Sequence, residues 1–130
     1  MVCGIGIDMV DIDEFERLIK RLGRCFIERT FTEKEVELSK QTTEPIRFLA
    51  ERFATKEAVF KAVAHLTKAK TFDFRIVETL NQEDGNPYIH INDSLQQIVD
   101  EGGICNLMVS LTNEKNYSIA FVIAKGPTNR

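Results

Sequence analysis

Residues 47–61 read RFLAERFATKEAVFK, and this stretch predicts the helix around which the rest of the fold is arranged. Its apolar side chains recur at close to helical spacing, and it contains neither glycine nor proline. Pro45 precedes it, at a position where the first turn of a helix tolerates proline. We therefore expect a helix from Pro45 to about His65.

Two charged residues of this predicted helix share one face, because Glu57 and Lys61 are four residues apart. Phe53 and Ala54 lie one turn earlier on that side, so the face is partly apolar. One interpretation is a surface ion pair, which stabilises a helix by roughly a few tenths of a kcal/mol. The other is a functional site, which would need a second anionic ligand from elsewhere, since one carboxylate rarely holds a metal ion alone.

A second carboxylate is available near the N-terminus. Residues 2–7 read VCGIGI, a short apolar run that is consistent with a buried strand, and Asp8 follows directly. A strand of this kind delivers its last side chain to the edge of a sheet, where sites often form. Asp8 could equally cap the next helix, as could Asp11 or Asp13.

Asp8 and Glu57 would suit Mg²⁺ if the fold brings them together. Magnesium takes oxygen ligands and is usually held by one or two carboxylates together with substrate phosphates and water. Lys61 would then neutralise phosphate charge during the transfer of a phosphorus-bound group. The sequence contains neither GxxxxGK[ST] nor GxGxxG, so it predicts no glycine-rich phosphate loop.

Length and composition limit the classes of protein. A chain of 130 residues, 43% of them hydrophobic, is expected to form one domain over residues 1–130. No apolar run approaches the roughly 18 residues of a membrane span, and the N-terminus lacks the basic segment of a signal peptide. The three cysteines are far apart, which predicts reduced thiols in a cytoplasmic protein. A net charge of −3 argues against non-specific nucleic-acid binding.

The charge is unevenly distributed along the chain. Between positions 17 and 29 the only acid is Glu28, whereas the basic residues there are Arg17, Lys20, Arg21, Arg24 and Arg29. Such a stretch indicates either a solvated helix face or a surface for an anionic partner.

The remaining patterns predict an α+β domain in which helices cluster early and hairpins follow. Thr32 and Glu35 match a capping box at the start of one helix, and Gly23 suits the end of another. The predicted helices are residues 12–22, 33–40 and 93–101, and the later predicted strands are residues 72–77, 88–91, 105–111 and 117–124.

Three stretches together resemble the holo-acyl-carrier-protein synthases, which are small 4′-phosphopantetheinyl transferases. They are GIGIDMVDI, RFLAERFATKEAVFKA and VSLTNEKNYSIAFVIA, at residues 4–12, 47–62 and 109–124. The resemblance implies a 4′-phosphopantetheinyl transferase-like fold with a long central helix packed on an antiparallel sheet. It also implies Mg²⁺-dependent transfer of 4′-phosphopantetheine from coenzyme A to a serine of an acyl carrier protein, with release of 3′,5′-ADP. Members of this family are typically homotrimers with the site between subunits.

The same resemblance assigns roles to residues of this chain. Asp8 and Glu57 resemble the metal ligands, Lys61 resembles the lysine beside the transferred phosphate, and Glu57 or a water that it orients is the expected base. The resemblance places Arg52, Lys56 and Lys61 at the coenzyme phosphates, and we expect Lys68 and Asn113 to contact the coenzyme at two positions where this chain differs from the family. It also implies a docking surface for the carrier protein formed by Arg17, Arg21 and Arg24.

Three departures from the family pattern keep a second hypothesis open. A glycine-rich loop usually follows the central helix, whereas residues 63–71 read VAHLTKAKT, in which Lys68 and Lys70 could supply charge instead. Asn113 follows Thr112 where the family often has Ser-His, and Glu14 replaces a common arginine. The alternative is a catalytically weakened or non-catalytic binding module of the same fold that holds a carrier protein or a nucleotide.

Overall fold

The protein is described by a computed structural model that covers residues 1–68 and 73–128. Four helices and five strands make up the described part, together with short 3₁₀ helices at Ala64–Leu66 and Phe74–Ile76. In chain order they are β1 (Val2–Asp11), α1 (Ile12–Thr30), α2 (Glu33–Lys40), α3 (Pro45–Val63), β2 (Glu78–Asn81), β3 (Pro87–His90), α4 (Asp93–Glu101), β4 (Asn106–Glu114) and β5 (Tyr117–Lys125). The predicted α+β class is confirmed.

The long helix α3 packs on an antiparallel sheet, as predicted, and the strands of this sheet lie in the order β1-β5-β4. Strands β2 and β3 form a separate antiparallel hairpin, and β3 contacts β4. The core lies between α3 and the inner face of the larger sheet, where Val59, Val63, Ala120, Val122 and Ala124 are fully buried. None of the helices in the described ranges combines the length and hydropathy needed to span a membrane.

Two glycines of β1 allow α3 to approach the sheet unusually closely. A Cβ atom built on Gly4 would overlap the carbonyl oxygen of Ala62, and one on Gly6 would overlap that of Ala58. The two alanines are fully buried and one helical turn apart, so a strip of small residues faces the glycines. The backbone of α3 therefore lies directly against β1.

The ends of β1 and α1 differ from their predicted positions. Strand β1 does not stop before Asp8 but continues to Asp11, because its pairing with β5 extends to the Asp11–Tyr117 pair. Asp11 caps α1, accepting a hydrogen bond of 3.0 Å from the backbone N–H of Glu14. Gly23 breaks the helix with a φ of 69°, and α1 then resumes as far as Thr30.

The strand predicted at residues 72–77 is wrong for the residues that the structure describes. Residues 74–76 form a 3₁₀ helix, and the strand begins only at Glu78. The alternating pattern was overridden because the carbonyl groups of Phe74 and Val77 accept hydrogen bonds from the ammonium group of Lys56. Asp73 also caps the 3₁₀ helix by accepting from the N–H of Arg75.

Lys56 forms a fully buried ion pair with Glu35 of α2, with 2.8 Å between Nζ and Oε1. Glu35 also completes the predicted capping box of α2 by accepting from the N–H of Thr32 at 3.0 Å. Burial lowers the pKa of the Lys56 ammonium, and the charge of Glu35 opposes that shift. Lys56 therefore joins α3 to α2 and to the segment before β2.

We expect Lys56→Met to lower the free energy of unfolding by about 3–5 kcal/mol, because it leaves the Glu35 carboxylate buried without its counterion. Urea denaturation would measure this loss. Lys20→Met is the matched control, since Lys20 forms an exposed ion pair with Glu16 and should matter by less than about 0.5 kcal/mol. Equal losses in the two variants would contradict a structural role for the buried pair.

Candidate functional site

Asp8, Glu57 and Lys61 come together where α3 crosses β1. The Nζ atom of Lys61 lies 3.0 Å from Oδ1 of Asp8 and donates to the carbonyl oxygen of Ile7 at 3.1 Å. Among the described residues Lys61 is ion-paired with Asp8 and not with Glu57. The close packing at Gly4 and Gly6 explains the meeting, because Glu57 and Lys61 directly precede the two alanines that contact those glycines.

The environment of Glu57 disfavours its charged form. Burial raises the pKa of Glu57, the nearby charge of Asp8 raises it further, and Lys61 lowers it. Two carboxylates that repel each other in this way would gain from a cation held between them. Protons compete with such a cation for Glu57, so cation binding should strengthen as pH rises through the raised pKa.

The two carboxylates open into a cleft of about 820 Å³ between β1, α1 and α3. Phe15, Leu18 and Phe53 line it with apolar surface. Its charged lining consists of Asp8, Asp11, Glu14, Arg17, Arg21 and Glu57. The cleft therefore joins the predicted metal pair to part of the predicted docking surface.

The donor set fits Mg²⁺ better than a transition metal. Asp8 and Glu57 supply hard oxygen ligands and are only partly buried, so water and phosphate oxygens would have access to a bound ion. Within residues 1–68 and 73–128 no cluster of three His, Cys, Asp or Glu side chains could hold a metal. A cation here would have to take its other ligands from water and substrate.

Arg52 and Lys56 do not line the cleft, although the resemblance placed them at the coenzyme. Both are buried, with 2% and 0% of their surface exposed. Arg52 lies over the ring of Phe48, 4.2 Å from its centre, and 4.0 Å from Glu51. Lys56 is held by Glu35. Because both side chains are buried among other residues of the chain, neither cation is accessible to a ligand in this conformation.

The other coenzyme candidates are also separated from Asp8 within one chain. Lys68 is exposed beyond α3, and its backbone N–H donates to Glu101 at 2.8 Å. Asn113 lies on β4, which is separated from β1 by β5, and its amide donates to Glu51 at 2.8 Å. Lys70 lies outside the described residues.

The three predicted docking arginines divide between two surfaces. Arg17 and Arg21 line the cleft. Arg24 is ion-paired with Glu28 at 3.6 Å and lines a separate groove between α1 and α2. The sequence pattern indicated Asp11 only as a helix cap and Glu14 only as a departure from the family, whereas both line the cleft. Glu14 precedes Arg17 and Arg21 by three and seven residues, which is the spacing of one helix face.

Comparisons with known proteins show the family to which the chain belongs. A family model of the 4′-phosphopantetheinyl transferase superfamily matches residues 4–122. The chain is 36% identical to the holo-[acyl-carrier-protein] synthase of Serratia proteamaculans over 125 residues, 96% of this chain and 98% of that protein. It is 34% identical to the synthase of Thermodesulfovibrio yellowstonii over 123 residues, 95% of this chain and 98% of that one.

Solved structures extend the likeness to the fold. The holo-[acyl-carrier-protein] synthase of Neisseria meningitidis matches with a TM-score of 0.86 and 32% identity, covering 96% of this chain and 99% of that one. The Helicobacter pylori synthase in complex with coenzyme A matches with a TM-score of 0.75 and 28% identity, covering 93% and 99%. The resemblance inferred from three sequence stretches is thereby confirmed, and the chain belongs to the holo-[acyl-carrier-protein] synthase family of 4′-phosphopantetheinyl transferases.

Proposed function

We propose that this enzyme transfers 4′-phosphopantetheine from coenzyme A to a serine of an apo acyl carrier protein, depends on Mg²⁺ and releases 3′,5′-ADP. The observation that carries the mechanism is the meeting of Asp8, Glu57 and Lys61 at an open cleft. The type of reaction is inferred from membership of the family, and the cluster of these three side chains provides charged groups that are suited to it. We further propose that it acts in the cytoplasm, where its three free cysteines would stay reduced.

Each of the three side chains has a distinct role in this proposal. Asp8 and Glu57 hold Mg²⁺, which supplies positive charge to the coenzyme phosphates when bound. Lys61 exchanges its ion pair with Asp8 for contact with the transferred phosphate and stabilises the charge that develops there. Glu57, or a water that it orients, would take the proton of the attacking serine hydroxyl.

We propose that the enzyme is a homotrimer that associates through the outer face of the sheet. Residues that alternate with the buried positions of β1 are exposed there, together with neighbours from β4 and β5. These exposed side chains are Ile5, Ile7, Met9, Met108 and Phe121. A contiguous apolar patch of this kind usually marks an interface between chains. Association would bring Asn113 or Lys68 of one copy towards the cleft of another, which one chain alone does not do.

We expect Phe121→Asp to convert the trimer into monomers, because it places an unpaired charge in the centre of an apolar interface. Sedimentation equilibrium would measure the change in mass. Leu22→Asp is the control, since Leu22 is a comparably exposed apolar residue on α1 and away from the sheet. A wild-type monomer, or a Phe121→Asp variant that stays trimeric, would contradict this interface.

The proposed docking surface is the cleft-facing pair Arg17 and Arg21. We expect Arg17→Glu/Arg21→Glu to raise the carrier protein KM by about tenfold or more and to flatten its salt dependence, while the coenzyme KM barely changes. Arg24→Glu is the control, since Arg24 faces another groove and is already paired with Glu28. Equal effects of Arg24→Glu and the double variant on the carrier KM would contradict this division.

Mass spectrometry of an apo acyl carrier protein incubated with the enzyme, coenzyme A and Mg²⁺ tests the proposed reaction. We expect the carrier to gain the mass of one 4′-phosphopantetheine group, and EDTA to prevent the gain. Coenzyme A binding without any gain would support the binding-module alternative. The absence of both binding and transfer would overturn the proposed function.

A further inference from the structure

Glu51 of α3 is held between two donors that come from different parts of the fold. Its Oε1 atom accepts a hydrogen bond of 2.8 Å from the side-chain amide of Asn113 on β4. Its Oε2 atom lies 4.0 Å from Nη1 of Arg52. Carboxylate and phosphate oxygens accept from the same kinds of donor, and an arginine pairs with either. Arg52 and Asn113 therefore form an anion site whose occupant is Glu51.

The guanidinium group of Arg52 is buried and has donors to spare. Only 2% of the residue is exposed, and among the described residues its Nε atom has no hydrogen-bond partner. The ring of Phe48 lies 4.2 Å away and offers a cation–π contact but no oxygen. The 4.0 Å to Glu51 is an ion-pair distance and is too long for a hydrogen bond. An anion with more oxygens than a carboxylate would therefore bind this guanidinium better than Glu51 does.

A buried cation needs an anion close by, whether or not a ligand is bound. Burial lowers the pKa of Arg52, and the negative charges of Glu51 and Glu35 oppose that shift. Removing such a partner leaves an uncompensated buried charge, which is strongly destabilising. Glu51 therefore stabilises the ligand-free enzyme, and any ligand that displaces it has to bring a negative charge of its own.

Asn113 is positioned to donate at this site, either to Glu51 or to a ligand. Its Oδ1 atom accepts a hydrogen bond of 2.6 Å from the hydroxyl group of Ser118, which is 1% exposed. A carboxylate only accepts, so the amide nitrogen faces Glu51. Asn113 is exposed, and 21% of the Glu51 side chain is exposed, against 3% for Arg52. A ligand that arrives from solvent would meet the amide and the carboxylate before it met the guanidinium.

We propose that Glu51 is a built-in competitor for a phosphate group of the substrate. The phosphate takes the place of the Glu51 carboxylate at Arg52 and Asn113, and the released carboxylate turns towards solvent. This inference rests on the proposed function, in which Asn113 approaches the cleft of another copy. The exchange keeps the buried guanidinium paired throughout, but it gives up the contacts that Glu51 makes in the free enzyme. Glu51 therefore lowers the affinity for coenzyme A while it stabilises the ligand-free protein.

Replacing Glu51 by Gln removes the competing charge and retains an acceptor for Asn113. We expect Glu51→Gln to bind coenzyme A about three- to tenfold more tightly, and with a steeper salt dependence, because Arg52 then lacks its resident anion. In urea, the ligand-free variant should unfold at a lower concentration than the wild-type enzyme. Inorganic phosphate should restore part of that difference, because it binds the vacated site.

Isothermal titration calorimetry with coenzyme A, without any carrier protein, would measure the affinities. Asp100→Asn is the matched control for the change of charge. Asp100 lies on α4 and, like Glu51, accepts a hydrogen bond from a side-chain amide, that of Gln96 at 2.7 Å. Its replacement should leave Kd for coenzyme A within about twofold of the wild-type value.

A gain in affinity is the distinguishing result, since a residue that only supported the fold would weaken binding when it is changed. Unchanged or weaker binding by Glu51→Gln would overturn the inference, and so would an equal gain in Asp100→Asn. The proposed function survives either result if mass spectrometry still detects phosphopantetheine on the carrier. If neither the wild-type enzyme nor Glu51→Gln binds coenzyme A, the inference is overturned as well. Failure of transfer in the mass-spectrometric assay would then show that the proposed function has failed with it.

Discussion

Replacing Asp8 by Ala should abolish Mg²⁺-dependent transfer while the protein stays folded. We expect kcat/KM to fall by about 1,000-fold or more, because Asp8 would supply one of only two protein ligands to the ion. Strand β1 is held by backbone pairing with β5 on both sides of residue 8, so the loss of this side chain leaves the sheet in place. The measurements are phosphopantetheine transfer by mass spectrometry, Mg²⁺ affinity by calorimetry and unfolding by urea.

Two further variants sharpen this experiment. Glu57→Gln should also lose transfer, yet it should slightly stabilise the metal-free protein, because it removes a carboxylate whose charged form is disfavoured by burial and by Asp8. Asp13→Ala is the control for the loss of one nearby negative charge, since Asp13 is exposed in the first turn of α1. Full activity of Asp8→Ala would rule out its assignment as a metal ligand.

Gly6→Ala should lower the free energy of unfolding by about 3 kcal/mol or more, and Gly6→Val should prevent soluble expression. The new Cβ atom would overlap the carbonyl oxygen of Ala58, which is backbone and cannot move aside by changing a rotamer. Relief requires α3 to move away from β1. Any Gly6→Ala protein that folds should therefore also bind Mg²⁺ more weakly, since Asp8 and Glu57 lie on the two separated elements.

Gly102→Ala provides the matched control for the glycine prediction. Its φ is −80°, and the nearest atoms to a new Cβ would be side-chain atoms of Ile104 and Leu66 at 3.2 Å. A change of less than about 1.5 kcal/mol is expected, because contacts of 3.2 Å are relieved by a displacement of a few tenths of an ångström and alanine suits this backbone. A Gly6→Ala variant as stable as Gly102→Ala would show that the close approach of α3 is not required.

Local patterns in the sequence were sufficient to predict several elements and the family. The capping box of Thr32 and Glu35 and the proline at position 45 act within one helical turn, and both helices begin where those signals place them. The residues alone left open whether Asp8 and Glu57 meet, and it was the family resemblance that paired them as metal ligands. The fold brings them together because Gly4 and Gly6 allow the backbone of α3 to lie directly against β1.

Contacts between residues that are distant in the chain decided which charged side chains are buried and which reach the cleft. Lys56 and Lys61 are both lysines of α3, and sequence reasoning placed both at the coenzyme phosphates. In the fold, a buried carboxylate from α2 and two carbonyl groups before β2 surround Lys56, whereas Lys61 emerges beside Asp8. The same carbonyl groups turn residues 74–76 into a 3₁₀ helix in place of a strand. Partners that are distant in the chain decide whether a lysine side chain lies in the core or at the cleft. The reason is that the free energy of desolvating its charge depends on which groups surround it in the completed fold.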